Sequence, residues 1–217
     1  MENSVLPIGR LYKRWPRVAK LMPKFLNRSG LVTRDVALLL SSGMSYFVVT
    51  GISFPVLPRL VKQELNGGEF EIGLAFGVMG LGMLAMRPLV GFLADKYGRK
   101  QLIVIGAVTI IVTQLLHVPA ARSSLGMLLL VRFVQGLGSS AMYVGQATTA
   151  TELPPSNRSG EIFSLFNASV VAGFAVGPVV GEITLQREGF TMAFAVAALF
   201  ALTCLILGLF LPETRPP

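Results

Sequence analysis

The chain has 217 residues, of which 53% are apolar and 14% charged, and its mean hydropathy is +0.66. Soluble globular domains carry about 25% charged residues, so this composition excludes an ordinary soluble domain as well as a disordered chain. The single cysteine, Cys204, excludes a disulfide-stabilised scaffold. We therefore predict an all-α membrane protein with several spanning helices.

The chain begins with a basic segment, residues 1–34, which holds eight of the 19 Lys and Arg residues and one acid. The remainder is nearly neutral, so the net charge of +8 does not indicate that the protein binds nucleic acid. One interpretation is a cytoplasmic segment that lies on the anionic inner leaflet, and the other is a cleaved targeting peptide. Apolar side chains interleave with the cations and favour the membrane surface: Leu11, Trp15, Val18, Met22 and Phe25.

Six apolar segments follow, and each is long enough to cross a bilayer at 1.5 Å per residue. Pro55 and Pro58 predict that the first of them bends or ends near the outer face. The transmembrane domain is assigned to residues 35–212. The predicted spans are Val36–Leu57, Ile72–Ala94, Gln101–Ala120, Leu125–Ala150, Ile162–Leu185 and Phe190–Leu211.

The distribution of basic residues predicts the orientation. With the N-terminus inside, 13 Lys and Arg residues lie in inner segments and four in outer loops. Inner loops of membrane proteins carry the excess of positive charge. We therefore predict a multi-pass protein of the cell membrane with both termini cytoplasmic.

Four ionisable residues lie within the predicted spans. Placing a charged side chain in the membrane interior costs several kcal/mol, so each of them is a candidate functional residue. Arg132 lies about 10 Å from the outer end of its span, too deep to reach the surface, and is predicted to be functional. Arg87 either reaches the inner surface or contacts another helix. Glu182 and His117 are predicted to lie at the outer interface.

A short loop, residues 91–100, joins the second and third spans. Gly98 suits a helix end that needs a positive φ, and Gly91 would let a neighbouring helix approach closely. Asp95 is surrounded by cations and predicts a charge network at the inner mouth; the alternative is a solvated, positively charged loop. The cations are Lys96, Arg99 and Lys100.

The fifth span contains glycines four residues apart, Gly173, Gly177 and Gly181, together with Pro178. Such spacing forms a groove for close helix packing, and the proline removes a hydrogen bond and permits a bend. The alternative is ordinary packing of small residues.

These patterns resemble the motifs of the major facilitator superfamily. Residues 91–100 match its signature G-x-L-A-D-[RK]-x-G-R-[RK], and Arg132, Gln135 and Gly136 are similar to its R-x-x-Q-G motif. The pattern in the fifth span resembles the motif of its proton-coupled antiporters, except that Glu182 follows Gly181 where the family has a second glycine. The resemblance covers residues 35–217.

The resemblance implies the N-terminal six-helix half of a transporter, built from inverted repeats of three helices, with residues 213–217 as the start of a cytoplasmic linker. It implies secondary active transport of a small solute by alternating access, as proton-coupled efflux with H⁺ as the coupling ion, and no enzymatic activity. The alternative is a truncated, non-transporting half that assembles with or regulates a full transporter. Whether the chain is a fragment, a truncated product or a half-size protein is left open.

The resemblance also assigns roles and partners. Arg132 would be the buried polar centre of this half, with its partner in a second half, and Asp95 and Arg99 would control the inner gate. The implied partners are membrane lipid, the solute, and a second half or another copy. Residues predicted to line the cavity are Tyr46, Thr50, Tyr143, Gln146 and Asn167.

Overall fold

The computed structural model describes residues 33–153 and 158–214, so the predicted basic segment lies almost entirely outside the described residues. Residues Asp35–Pro217 form one compact unit. Its helices are each long and apolar enough to cross a membrane. They are α1 (Arg34–Glu64), α2 (Glu69–Tyr97), α3 (Arg99–Ser123), α4 (Leu125–Glu152) and α5 (Ser159–Leu209).

Helix α1 passes through Pro55 and Pro58 and ends at Glu64. Of the two predicted outcomes at these prolines, a bend or an end of the helix, the structure excludes the end. Leu60 and Val61, which follow the prolines, are fully buried. Packing of this last turn against the other helices stabilises a helical conformation that the prolines alone disfavour.

Helix α5 contains 51 residues, but Gly189 interrupts it with φ 81° and ψ −173°, a conformation outside the helical region. We call residues 159–188 the first arm of α5 and residues 190–209 its second arm. Residues 33–153 and 158–214 thus contain five helices where the sequence predicts six spans, and the predicted fifth and sixth spans fall on the two arms.

The two arms of α5 lie side by side. The ring of Phe166 in the first arm lies over Gly43, and Cys204 in the second arm contacts the adjacent Ser42. A straight helix would separate Phe166 from Cys204 by about 57 Å. Since both contact one end of α1, the arms must run in opposite directions from Gly189.

Gly98 is the only residue between α2 and α3, and its φ of 100° confirms the predicted helix end. Its N–H donates to the carbonyl oxygen of Ala94 at 2.9 Å, which closes the last turn of α2. At the opposite end of the bundle, the Ser124 hydroxyl accepts a hydrogen bond from the Met127 N–H and caps α4.

Glycines let helix backbones touch. A Cβ on Gly177 of the first arm would lie 2.6 Å from the Cα of Gly51 on α1. A Cβ on Gly136 of α4 would overlap the carbonyl oxygen of Met79 and lie 3.0 Å from the Cα of Gly82 on α2. Any side chain at these places would separate the helices. Similar close contacts join α3 to α4 at Gly106, Gly138 and Gly145.

Helix α2 is the least buried of the five. Several large apolar side chains of this helix are exposed, as is Arg87, which has no ion-pair partner among the described residues. An exposed cation on an apolar helix fits either of the predicted interpretations of Arg87. The large apolar residues exposed on α2 are Phe70, Leu81, Leu84, Leu89, Phe92 and Tyr97.

Candidate functional site

Arg132 lies in the interior of the helix bundle, and only 1% of its surface is exposed. Its Nε donates to the carbonyl oxygen of Ala75 on α2 at 2.9 Å, and its Nη1 donates to Oε1 of Gln135 at 2.7 Å. Its Cζ lies 5.4 Å from the centre of the Phe76 ring. The guanidinium is thus held by a backbone carbonyl, an amide and an aromatic face, with no carboxylate partner among the described residues.

His117 is fully buried among the helices, near the end of α3 that is predicted to face outward, and its place at the outer interface stays a prediction. The ring of Phe194, from the second arm, stacks on the imidazole with centroids 4.6 Å apart and covers it. Nδ1 lies 2.6 Å from the carbonyl oxygen of Thr113, which only accepts, so Nδ1 is the protonated nitrogen. The imidazole interacts electrostatically with Arg132 and Gln135, which places it in the same polar region.

Gln114 extends this polar region along α3. Its side chain is fully buried, and neither amide atom has a partner among the described residues; the same holds for Nε2 of His117. Buried polar atoms are nearly always paired in folded proteins, so a group of three unpaired atoms is unusual. Gln114 and His117 therefore add buried polar groups to the interior on α3.

A second buried polar cluster joins α1, α4 and the second arm. Nε2 of Gln146 donates to Oγ of Ser42 at 2.9 Å, and Oγ of Ser42 lies 3.2 Å from Sγ of Cys204. The Cys204 thiol donates to the carbonyl oxygen of Ser42 at 3.2 Å. Gln146 is predicted to line the cavity, and here its side chain is fully buried between helices.

The other predicted cavity residues lie on α1, α4 and the first arm. Tyr46 is buried, whereas Thr50, Tyr143 and Asn167 are half-buried. Thr50 and Asn167 donate to carbonyl oxygens of their own helices, those of Tyr46 and Phe163. Their predicted contact with solute stays a prediction.

The glycine motif of the fifth span lies against α1. Gly173 faces the carbonyl oxygen of Met44, Gly177 faces Gly51, and Gly181 faces Ile52. All three glycines are buried, and Pro178 lies against Gly51. The motif therefore forms the predicted close-packing groove, and α1 fills it.

The loop between α2 and α3 carries the charge network that Asp95 predicts. Arg99 is buried and binds Glu152 of α4 through two hydrogen bonds, from Nε at 3.0 Å and from Nη2 at 2.8 Å. Its Nη1 donates to the carbonyl oxygen of Ala94 and lies 3.1 Å from Oδ1 of Asp95. Glu213 accepts from the Arg99 backbone N–H at 2.9 Å. The loop thus fastens α4 and the C-terminal segment to the start of α3.

The remaining residues of the loop motif have separate surroundings. Lys96 lies 5.7 Å from the Phe92 ring centre and 5.3 Å from that of Tyr97. Lys100 has no ion-pair partner in the described part of the chain, and nothing in it fills the space beside Gly91. Glu152 and Glu213 are not predictable as partners of Arg99, since each lies more than 50 residues from the loop and matches none of the quoted motifs.

We expect Glu152→Gln to destabilise the folded chain more than Asp95→Asn. Glu152 receives two charge-assisted hydrogen bonds from a buried guanidinium, worth about 1.5 kcal/mol or more. Asp95 is 71% exposed at its side chain and should contribute under about 1 kcal/mol. Thermal unfolding in detergent measures the difference, with Glu161→Gln as the control for an exposed pair. Equal losses in all three variants would contradict the assignment.

Comparisons with known proteins agree with these motifs. Residues 38–217 match the Major Facilitator Superfamily. The chain is 31% identical over 192 residues to the multidrug resistance protein MdtL of Escherichia coli O157:H7, covering 88% of this chain and 47% of the relative. It is 30% identical over 192 residues to MdtL of Klebsiella pneumoniae, with the same coverage.

A solved structure resembles the fold. The crystal structure of a D-xylose-proton symporter superposes with a TM-score of 0.70 at 17% identity, covering 82% of this chain and 48% of the symporter. The chain thus spans about half the length of the proteins it matches.

Proposed function

Because this chain belongs to the Major Facilitator Superfamily, we propose that it forms one half of a secondary active transporter, which moves a small solute across the cell membrane by alternating access. The observation that carries the proposal is Arg132, a buried guanidinium that has no carboxylate partner in the described part of the chain. Ionisable residues inside membranes mark solute and ion pathways.

We propose efflux coupled to H⁺ as the mode of transport. The relatives bear the name multidrug resistance protein, and the structural neighbour is a proton symporter. The glycine and proline motif of the first arm, which resembles that of proton-coupled antiporters, is fully engaged with α1. In the proposed mechanism, this close contact lets the first arm and α1 tilt against each other while they stay packed.

We also propose six spanning segments arranged as inverted repeats, with the two arms of α5 as separate spans. In such repeats, α1 corresponds to α4 and α2 corresponds to the first arm. The contact of Gly51 with Gly177 and that of Gly136 with Gly82 would then be equivalent. The two glycine contacts join different helices that lie far apart in sequence, yet they would occupy equivalent places in the two repeats. This correspondence supports the proposal.

The proposed orientation has both termini cytoplasmic. It is supported by the 13 Lys and Arg residues of the inner segments against four in the outer loops. Three of these four cations are paired with acids in the described structure. The pairs are Arg59 with Glu182 at 2.9 Å, Lys62 with Glu69 at 2.6 Å, and Arg122 with Glu64 at 3.2 Å.

Cysteine labelling of intact cells tests the orientation. A membrane-impermeant thiol reagent should label Gln63→Cys, at the outer end of α1, and leave Tyr97→Cys unlabelled until the membrane is opened. Both positions are exposed on the protein surface, so accessibility differs only through the membrane. Labelling of Tyr97→Cys from outside would contradict the proposal.

A fused protein tests the transport proposal. This chain would replace the first half of Escherichia coli MdtL, and the fusion and the chain alone would be reconstituted in proteoliposomes with a pH gradient. We expect proton-driven movement of at least one solute by the fusion and none by the chain alone, because six helices supply one wall of the pathway. Transport by the chain alone would contradict the half-transporter assignment.

The second candidate function is a non-transporting half that assembles with or regulates a full transporter, or that pairs with another copy. The exposed face of α2 with Arg87 favours some partner, because lipid solvates a cation poorly. This candidate would be favoured if the fusion folds and inserts but transports none of the tested solutes, while MdtL assayed in parallel is active.

A further inference from the structure

A continuous row of aromatic rings crosses one side of the bundle. It runs from α2 through α1 and the first arm of α5 to α4, and we call it the aromatic wall. Its members are Phe76, Phe54, Phe174, Phe47, Tyr143 and Phe166. We propose that the aromatic wall binds planar aromatic solutes that are neutral or negatively charged. This inference rests on the proposed transport function and names the substrate class.

Each ring of the wall contacts the next. Phe76 stacks on Phe54 with centroids 5.8 Å apart, and Phe54 lies 6.0 Å from Phe174. Phe47 lies 4.9 Å from Phe174 and 6.0 Å from Tyr143. These centroid separations lie within the range of favourable aromatic pairs. An aromatic solute beside the wall could pack against the rings in the same way.

The wall extends from the buried core towards the surface of the bundle, with Phe166 and Phe47 buried at its inner side. Phe54 is 50% exposed, and Phe76, Phe174 and Tyr143 are half-buried. No ring of α3 or of the second arm joins the wall in the described residues; Phe194 instead stacks on His117. The rings thus gather on α2 and on the helices that carry all five predicted cavity residues, namely α1, α4 and the first arm.

The charges around the wall select against cations. Arg132 lies at one end, with its Cζ 5.4 Å from the Phe76 ring. The described acids lie at or near helix ends or the Gly189 kink, and none of them forms an ion pair with Arg132: Asp35, Glu64, Glu69, Glu71, Asp95, Glu152, Glu161, Glu182, Glu188 and Glu213. An aromatic cation would therefore meet like charge and find no counter-ion, whereas an anion would be attracted by Arg132.

Polar groups give the wall a second point of attachment. Tyr143 adds a phenolic hydroxyl, and Asn167 and Thr50 lie half-buried on the same helices. A few polar groups among apolar and aromatic side chains are typical of sites for small organic ligands. A flat lipid-facing surface needs no such groups.

Three naphthalene probes with one ring system and different charge test the proposal: 2-naphthoate, 2-naphthylmethanol and 2-naphthylmethylammonium. The purified full chain in lipid nanodiscs would be studied by equilibrium dialysis, with empty nanodiscs subtracted for partition into lipid. We expect saturable binding of the anion and the alcohol, and at least tenfold weaker binding of the ammonium probe. Tightest binding of the ammonium probe, or no saturable binding of any probe, would overturn the proposal.

Substitutions in the wall locate the site. Phe54→Ala and Phe174→Leu should each weaken binding about three- to tenfold, the range expected for one aromatic pair. Phe92→Ala is the matched control, since Phe92 is an exposed ring on α2 outside the wall. Circular dichroism checks that each variant is folded. Equal weakening by Phe92→Ala would overturn the proposal.

Binding and transport fail separately in this design. The dialysis measurement needs no second half, so an inactive fusion with MdtL, beside intact binding to the chain, would reject the transport proposal and leave the aromatic site standing. An active fusion, beside no binding of any naphthalene probe, would reject the aromatic site alone.

Discussion

Replacing Gly177 with alanine is expected to lower the free energy of unfolding by about 3 kcal/mol or more, because the new methyl group meets backbone on the facing helix. Its Cβ would lie 2.6 Å from the Cα of Gly51 and 2.7 Å from the carbonyl oxygen of Val48. Backbone atoms cannot turn aside as a flexible side chain can, so α1 and the first arm must separate. Thermal unfolding in detergent, followed by circular dichroism, measures the loss.

Gly77→Ala is the matched control for this substitution. Gly77 is also a helical glycine, and nothing in the described chain lies within 4 Å of the position its Cβ would take. Alanine is favoured over glycine in a helix by about 1 kcal/mol, so this variant should be as stable as the wild type or slightly more stable. Equal stability of the Gly177→Ala and Gly77→Ala variants would show that the helices do not cross at Gly177.

Arg132→Ala is expected to reduce transport by the fused protein about ten- to hundredfold, the equivalent of one or two lost charged hydrogen bonds. The change leaves the Ala75 carbonyl and the Gln135 amide without their donor in the interior. Arg132→Lys should restore transport only in part, because an ammonium cannot reproduce the planar guanidinium that donates in two directions and faces the Phe76 ring. Solute flux into proteoliposomes measures both variants.

Arg87→Ala is the control for loss of an arginine from a spanning helix. Arg87 is exposed and has no ion-pair partner in the described residues, so its removal should leave insertion intact. Comparable expression of the Arg132 and Arg87 variants would show that the loss of flux is specific. Wild-type flux in Arg132→Ala would contradict a transport role for this residue.

The local elements of the fold follow from sequence because they depend on residues near one another. Apolar runs predicted the spans on α1 to α4, and Gly98 predicted the sharp turn between α2 and α3. The glycine spacing in the first arm predicted a packing groove. It gave no indication that Gly51 fills the groove, because that partner lies more than 120 residues earlier.

Pairings between distant segments account for what sequence reasoning missed. His117 lies close to the outer end of α3 by sequence position, but Phe194 of the second arm stacks on it and buries it. The resemblance places the partner of Arg132 in a second half, whereas a backbone carbonyl of α2 within this chain supplies one of its contacts. Backbone acceptors leave no mark in a sequence, so only the packing of α2 against α4 reveals this contact.

The enclosure of Cys204 has a practical consequence for probing how the helices move. It is the only sulfhydryl of the chain, and it is sealed between Ser42 of α1 and Gln146 of α4. Each cysteine introduced elsewhere therefore reports on its own position with little background from the native thiol. Alkylation of the native thiol in turn reports on separation of the helices, because a reagent reaches Cys204 only when α1, α4 and the second arm move apart. The alkylation rate of the unmodified protein thus measures how often this contact opens, with no substitution.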